Sequence, residues 1–210
     1  MNIQSIVLRK PELGDIETLS ALHVASWKGA YQGLLPEAFL AQHARVDIWI
    51  RIWGNILKNP APNAVILIAE AEGRLLGYFN GGPTFSEGLK GHATAEVHGL
   101  YLHPDSQGKG IGSQLFRSGL QGLGNKGFSS AALWVFSGNP AVEFYRKRGG
   151  RELEIVNREL EVGGTLIPRR FFYWRLKSPI GHLLLSSGDQ DGKNPLADDH
   201  YEEAACENDG

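Results

Sequence analysis

Residues 107–112, Gln-Gly-Lys-Gly-Ile-Gly, form a glycine-rich segment between a predicted strand and a predicted helix. Glycine lacks a Cβ atom, so the backbone at Gly108, Gly110 and Gly112 can approach the oxygen atoms of a ligand closely, while Lys109 adds positive charge. Backbone N–H groups at a helix start also lie at the positive end of the helix dipole. The segment therefore indicates a phosphate-binding loop, although such a glycine run can equally serve a tight turn and close helix packing.

The spacing of this segment excludes two common nucleotide-binding loops. A Walker A loop ends in Lys followed by Ser or Thr after its second glycine, whereas Lys109 lies between two glycines. A dinucleotide-binding fingerprint reads G-x-G-x-x-G near the start of a βαβ unit, whereas this segment reads G-x-G-x-G in mid-chain. We therefore expect neither a nucleotide hydrolase nor a dehydrogenase.

The residues on either side of the loop predict an α/β (α+β) domain. Apolar residues recur at helical spacing in some stretches and alternate or cluster as short strands in others. The predicted order is βααβββαβαββ, a mixed, mainly antiparallel sheet flanked by helices. Its elements are a strand at 5–9, helices from Ile16 and from Pro36 to Asn59, strands at 64–70, 74–80 and 94–102, a helix from the loop to Gly124, a strand at 131–136, a helix at 139–148, and strands at 151–162 and 165–176.

Composition and charge divide the chain into two parts. The chain has 210 residues and a formal charge of −2, yet residues 178–210 contain eight acidic side chains against Lys193. We therefore predict one domain over residues 1–177, with a charge of +5, and an acidic, disordered tail over 178–210 with a charge of −7. A mildly basic body suits a small polyanionic ligand, but without an arginine-rich stripe it does not predict nucleic-acid binding.

Several classes of location and site are not expected. No apolar run approaches the roughly 18 residues of a transmembrane helix, and no export signal is recognisable, so we expect a cytoplasmic protein that does not bind a membrane. The single cysteine, Cys206, lies in the polar tail and predicts neither a disulfide nor a metal site. We expect no metal cofactor, and the sequence leaves a monomer and a homodimer equally open.

Two motifs in the predicted order carry a resemblance to a known family. Gln107–Gly112, preceded by 99–104, resembles the Q/R-x-x-G-x-G/A motif of the GNAT superfamily of N-acetyltransferases. Residues 139–145 are similar to the family's later N-x-x-x-x-F-Y helix, and the element order matches its fold over residues 5–176. Residues 27–36 are also similar to a bacterial subgroup of the family. The resemblance implies acetyl transfer from acetyl-CoA, as co-substrate, to a primary amine.

The resemblance also implies how this chain holds the co-substrate. A β-bulge splays the strand that ends at Leu102 from the strand at 131–136, and the pantetheine arm lies in the gap. Backbone groups of that strand bind the arm and the acetyl oxygen, stabilising the oxyanion that forms when the amine attacks. The residues expected to contact the co-substrate are Leu100, Tyr101, Leu102, Gln107, Gly108, Lys109, Gly110, Ile111, Gly112, Ser113, Asn139 and Tyr145.

The catalytic residues follow from the same resemblance and from the chemistry of the reaction. Tyr145 matches the tyrosine that protonates the departing CoA thiolate, although it can equally be a core aromatic residue. A protonated amine cannot attack, so a base is needed; Glu96 is the first candidate and His98 the rival. Strand alternation places both on one face with Leu100.

The acceptor and one alternative function stay open at this stage. Trp27 and Tyr31 are expected to line the acceptor pocket, although aromatic residues at helical spacing also serve as core. A small molecule, a peptide N-terminus and a protein lysine all remain possible amine acceptors. The alternative function is a catalytically idle module of the same fold that binds acyl-CoA as a sensor or interaction domain.

Overall fold

A computed structural model of the protein describes residues 6–154 and 159–177. It contains five α-helices and eight strands within those ranges. The helices are α1 (Ile16–Tyr31), α2 (Glu37–His43), α3 (Val46–Lys58), α4 (Ile111–Asn125) and α5 (Ala141–Lys147). The strands are β1 (Val7–Arg9), β2 (Val65–Ala71), β3 (Arg74–Pro83), β4 (Ala95–Leu102), β5 (Ser130–Phe136), β6 (Arg151–Leu153), β7 (Glu159–Val162) and β8 (Thr165–Arg175). The tail predicted over 178–210, with Cys206, lies outside the described residues.

The predicted fold class is confirmed. The strands form one sheet in the order β1-β2-β3-β4-β5-β8-β6, with β7 paired to β8. Every described pair is antiparallel except β4 with β5. Adjacent β3 residues face opposite sides, so Tyr78 packs with α1, α2 and α3 while Phe79 packs with α4. The sheet therefore separates two apolar clusters, with helices covering both faces.

The close packing of α4 depends on a glycine. A Cβ atom added to Gly119 would lie 2.5 Å from ring atoms of Phe79, a distance that real Cβ atoms do not show. Since Phe79 is fully buried, it cannot move aside without opening the core. Gly119 thus fixes how closely α4 approaches β3, and with it the position of the helix start that follows the glycine-rich loop.

The element order differs from the prediction in two places. The helix predicted from Pro36 to Asn59 is two helices, because Arg45 takes an extended conformation (φ −120°, ψ 132°). The indole nitrogen of Trp49 donates to the carbonyl oxygen of His43 across this break (3.1 Å). The change in direction lets both Phe39 and Trp49 reach one core cluster.

The second difference concerns the predicted strand at 151–162. β6 pairs with β8 at Phe171–Tyr173, whereas β7 pairs with β8 at Thr165–Pro168. Residues 155–158 lie between them, outside the described residues. Pro168 ends the pairing with β7, and β8 joins β5 at the next residue, Arg169. A residue without an N–H group is tolerated at such a change of partner.

A bulge interrupts β4 at His98. One step along β3, from Asn80 to Gly81, corresponds to two steps along β4, from Gly99 to Val97. His98 is therefore the extra residue, and a bulge of this kind bends the strand that carries it and increases its twist. It also breaks the side-chain alternation assumed for Glu96 and His98, which no longer follow a regular two-residue repeat.

Candidate active site

The cleft between β4 and β5 begins where their pairing stops. Ala95 pairs with Ala131 and Glu96 with Ala132, and these are the only β4–β5 pairs among the described residues. The edge of β4 from Val97 onward is then free of β5, as the family resemblance implied. The opening has a volume of about 370 Å³ and is bordered by β4, β5, the end of α1, the start of α4, and α5.

Most of the predicted site residues line this cleft. They come from four separate parts of the chain, which the splayed strands bring together. The predicted residues that line it are Tyr31, Glu96, His98, Leu100, Tyr101, Leu102, Gln107, Gly108, Gly112, Asn139 and Tyr145. Lys109, Gly110, Ile111, Ser113 and Trp27 are not among the lining residues, and Ile111 is fully buried in the core.

The glycine-rich loop has the backbone conformation of an anion cradle. Gly108 (φ +71°) and Gly110 (φ +80°) lie in the left-handed region, which favours glycine, and Gly110 is the residue before the first turn of α4. The first N–H groups of a helix have no partner within the helix and can bind an anion. The Lys109 ammonium donates to the Asp105 carbonyl oxygen (2.6 Å), which fixes the turn from outside the cleft. The loop therefore suits a pyrophosphate held by backbone donors.

A cation that sequence reasoning missed lies beside this cradle. Arg148 donates from Nη2 to the Ser113 hydroxyl on the first turn of α4, and its guanidinium lies 5.3 Å from the centre of the Phe144 ring. Arg148 follows the end of α5 and so links the two motifs on which the family resemblance rests. The motif comparison ended at Tyr145; a search for basic residues just beyond it could have found Arg148.

Glu96 is a buried carboxylate with three donors. Its side chain is 3% exposed, and it accepts hydrogen bonds from the backbone of Phe85 (3.3 Å) and Ser86 (3.1 Å) and from the Ser86 hydroxyl (2.5 Å). These donors belong to the connection between β3 and β4. Glu96 is thus held at the cleft wall by these donors, and Ser86 is a supporting residue that sequence reasoning did not identify.

His98 lies half-buried on the bulge, against Phe85. Its Nε2 is 3.3 Å from the Pro83 carbonyl oxygen, which can only accept, so Nε2 carries the hydrogen and Nδ1 is the basic nitrogen. Burial lowers the pKa of His98 below its ordinary value, whereas the negative charge of Glu96 and the bond to Pro83 oppose that shift. His98 is therefore neutral at neutral pH and can accept a proton.

Tyr145 and Asn139 lie on and beside α5. The Tyr145 side chain is 7% exposed and its ring packs against Phe116 (5.7 Å between centroids), so it is both a core residue and a cleft residue. Asn139 accepts a hydrogen bond at Oδ1 from the Ala141 backbone (2.8 Å). That bond fixes the side chain of Asn139, whose amide N–H groups are the donors it can offer to a ligand in the cleft.

A smaller cavity, which we call the side chamber, adjoins the cleft beside α1. Its volume is about 60 Å³, and it shares Tyr31, Trp134 and Val135 with the cleft. Its other lining residues are Trp27, Leu35, Phe39, Phe136, Leu160, Val162 and Arg169. Of the two predicted acceptor residues, Tyr31 thus lines both spaces and Trp27 only the chamber. The Tyr31 hydroxyl also lies 2.9 Å from the Tyr101 hydroxyl.

A buried histidine lies deeper between the helices and the sheet. His23 stacks on Trp49 (3.3 Å between centroids), and its Nδ1 lies 2.5 Å from the Tyr78 hydroxyl, while its Nε2 has no hydrogen-bond partner among the described residues. Burial holds the pKa of His23 well below its ordinary value. His23 is one of the buried residues of α1 and lies in the core as a neutral side chain.

Within residues 6–154 and 159–177, no helix is long and apolar enough to cross a lipid bilayer. In the same described ranges, no three His, Cys, Asp or Glu side chains come together as a metal ion would require.

Comparison with known proteins identifies relatives for most of the described chain. The model of the acetyltransferase (GNAT) family matches residues 25–150. An uncharacterized N-acetyltransferase of Bacillus subtilis is 28% identical over 85% of this chain and 98% of its own length. A spermidine N(1)-acetyltransferase of Thermoplasma acidophilum is 28% identical over 69% of this chain and 88% of its own length.

Solved structures show the same fold. The PaiA N-acetyltransferase of Thermoplasma acidophilum, solved in complex with coenzyme A, superposes with a TM-score of 0.67. The alignment covers 82% of this chain and 99% of that one, at 23% identity. At this level of identity the comparison shows the fold.

Proposed function

Because the chain belongs to the GNAT family and is an acyl-CoA-dependent N-acetyltransferase, we propose that it moves an acetyl group from acetyl-CoA directly to a primary amine. The observation that carries the proposal is the cleft between β4 and β5, where Glu96, His98 and Tyr145 meet the start of α4. Both substrates bind together, and no covalent enzyme intermediate forms. The family and the relatives, which are named as N-acetyltransferases, do not favour an idle binding module.

The residues around the cleft fit acetyl-CoA. The backbone N–H groups from Gln107 to Gly112 hold the pyrophosphate, supported by the helix dipole of α4 and the guanidinium of Arg148. The Asn139 amide donates to the pantetheine arm, which lies along the free edge of β4. The coenzyme A bound by the Thermoplasma acidophilum structure of the same fold supports this choice.

The free edge of β4 orients and polarises the acetyl group. Beyond Glu96 its backbone groups have no β5 partner among the described residues, so the N–H groups near Leu100 and Leu102 can donate to the acetyl oxygen. Ser26 Oγ lies 2.8 Å from the Leu102 carbonyl oxygen, which ties this end of β4 to α1. Donors held in place before the reaction stabilise developing negative charge without reorganising.

Tyr145 donates the proton that the CoA thiolate needs as it leaves. Tyr145 lines the cleft, and only 7% of its surface is exposed, so its ring is held in place beside the space that the thioester would occupy. A positioned general acid contributes about 10²- to 10⁴-fold to a rate. Tyr145→Phe should therefore lower kcat by about that factor while acetyl-CoA affinity stays unchanged. Unchanged kcat at neutral pH would refute the role.

His98 accepts the proton that the amine releases, and Glu96 stabilises the resulting imidazolium. This assignment departs from the first choice made on sequence, because the Glu96 carboxylate already accepts three hydrogen bonds whereas Nδ1 of neutral His98 is basic. The pH profile of kcat/KM distinguishes the two. His98→Gln should abolish the limb that reports the free base, whereas Glu96→Gln should shift it to lower pH. Loss of the limb only in Glu96→Gln would make Glu96 the base.

The decisive experiment measures thiol release from acetyl-CoA in the presence of a panel of primary amines. The purified full chain should release one thiol for each acetylated amine, as mass spectrometry of the product can verify. Tight acetyl-CoA binding without turnover on any amine would contradict the proposal. Spermidine belongs in the panel because a relative that is 28% identical carries that acceptor in its name.

A further inference from the structure

The side chamber continues the cleft at the end away from the phosphate cradle. The two spaces share Tyr31, Trp134 and Val135, while no residue of the glycine-rich loop lines the chamber. If acetyl-CoA occupies the cleft as proposed above, a group in the chamber belongs to the acceptor. The residues that line the chamber therefore indicate which amines the protein accepts.

The chamber wall is apolar or aromatic, with one charged exception. Within the described parts of the chain its lining includes no carboxylate, and its one charged side chain is Arg169. The Arg169 guanidinium lies 4.3 Å from the centre of the Trp134 ring, so the positive charge is held at the wall. An ammonium group in this space would be desolvated with no carboxylate among the described lining residues, and it would lie near the Arg169 guanidinium, which is unfavourable.

The size of the chamber limits which groups of an acceptor can fit in it. Its volume of about 60 Å³ is less than half of the about 150 Å³ of an engineered cavity that holds benzene. A branched aliphatic group of three or four carbons therefore fits better than an aromatic ring. Leu160 and Val162 of β7 and Leu35 provide aliphatic surface for such a group.

We propose that the acceptor is a primary amine bearing a small branched aliphatic group, which occupies the side chamber, and that a polyamine is a poor acceptor. The inference rests on the function proposed above. It separates this chain from its relative named for spermidine, because a second ammonium group of a polyamine would find no carboxylate among the described residues that line the chamber.

The test compares kcat/KM for four amines at saturating acetyl-CoA: glycinamide, leucinamide, phenylalaninamide and spermidine. Leucinamide should exceed glycinamide by at least about tenfold, the lower end of the discrimination that a buried methylene gives. Spermidine and phenylalaninamide should both fall below leucinamide. Equal or faster turnover of spermidine or glycinamide would overturn the inference.

Variants of Leu160 test the chamber itself. Leu160→Phe reduces its volume, so the ratio of leucinamide to glycinamide should fall toward one. Leu160→Ala enlarges the chamber, so kcat/KM for phenylalaninamide should rise relative to that for leucinamide. A folding defect alone would not shift the preference in opposite directions in the two variants. The matched control is Leu166→Phe, since Leu166 lies on the same β7–β8 hairpin with 60% of its surface exposed. Leu166→Phe should keep the wild-type ratio of kcat/KM for leucinamide to that for glycinamide.

The outcomes separate this inference from the proposed function. Thiol release with several amines but without the aliphatic preference overturns the inference alone. An unchanged leucinamide to glycinamide ratio in Leu160→Phe does the same. Failure to release thiol with any amine, although acetyl-CoA binds, overturns both.

Discussion

Replacing Gly110 by alanine tests the phosphate cradle most directly. Gly110 precedes α4 with φ +80°, and a Cβ atom added there would meet no other atom within 4 Å. The added methyl group therefore creates backbone strain without a clash inside the protein. Gly91 has the same φ of +80° and the same open surroundings, but it lies outside the glycine-rich loop, in the connection between β3 and β4. Gly91→Ala is thus a control matched in strain.

The expected magnitudes follow from these two conformations. Alanine in the left-handed region costs about 1–2 kcal/mol, offset by about 0.4–1 kcal/mol from the lower entropy of the unfolded chain. Both variants should lose about 1 kcal/mol of unfolding free energy, measured with urea. Only Gly110→Ala turns the N–H groups of the cradle, and losing one hydrogen bond to a charged phosphate costs about 1.5–3 kcal/mol.

The assay is calorimetric titration of each variant with coenzyme A. A loss of that size corresponds to a Kd about 10- to 150-fold higher for Gly110→Ala than for wild type. Gly91→Ala should bind with wild-type affinity at a similar loss of stability. If Gly110→Ala binds coenzyme A within about twofold of Gly91→Ala, the pyrophosphate does not rest on this loop.

Three further predictions concern stability. Burial lowers the pKa values of His23 and His98 in the folded protein. Below about pH 6.5 the unfolded chain therefore binds more protons than the folded one. As the pH is lowered through this range, the unfolding free energy should fall by up to about 1.4 kcal/mol per pH unit for each histidine. Urea unfolding at pH 7.5 and 5.5 should show a shallower dependence in His23→Gln; an equal slope would contradict the neutral, buried state. Ser86→Ala should reduce unfolding free energy by about 1.5–3 kcal/mol because Glu96 loses a short hydrogen bond, and an unchanged urea midpoint would refute this. We propose that residues 178–210 lie outside the domain, so a chain ending at Lys177 should keep its unfolding free energy and coenzyme A affinity; loss of either would make the tail part of the domain.

Local patterns were enough to predict much of the fold, and the family resemblance indicated which residues would meet at the cleft. Gly108 and Gly110 have the positive φ angles that their glycine-rich segment favoured. The sheet that the apolar patterns predicted brings Tyr145 and Asn139 to the same cleft as this loop. Such features depend on a few neighbouring residues, which is why sequence reasoning reaches them.

Features that depend on distant contacts were not predicted. The break between α2 and α3 lies at Arg45 and allows Phe39 and Trp49 to share one core cluster, which no local signal records. The donors to Glu96 come from Phe85 and Ser86, whose role appears only when the connection between β3 and β4 folds back over β4. The interpretation of Glu96 changed for that reason.

Other side chains combine two functions that sequence periodicity cannot separate. Trp27 has the helical spacing of a core residue and is 8% exposed, yet it also lines the side chamber. Tyr145 packs against Phe116 and lines the cleft. Burial and function coincide at these positions, so a substitution there must be assayed for folding before it is interpreted as a kinetic effect.

At the bulge in β4, His98 contributes both an imidazole side chain and an extra residue in the strand. Replacing His98 removes the imidazole while the strand keeps its extra residue. Deleting His98 instead restores regular one-to-one pairing of residues between β3 and β4. Such a deletion would straighten β4 and let it continue its ladder with β5 past Glu96, closing the space between them. The room for a substrate thus depends on a mismatch in strand length, and a mutational scan that includes deletions would separate the chemistry of this residue from its geometry.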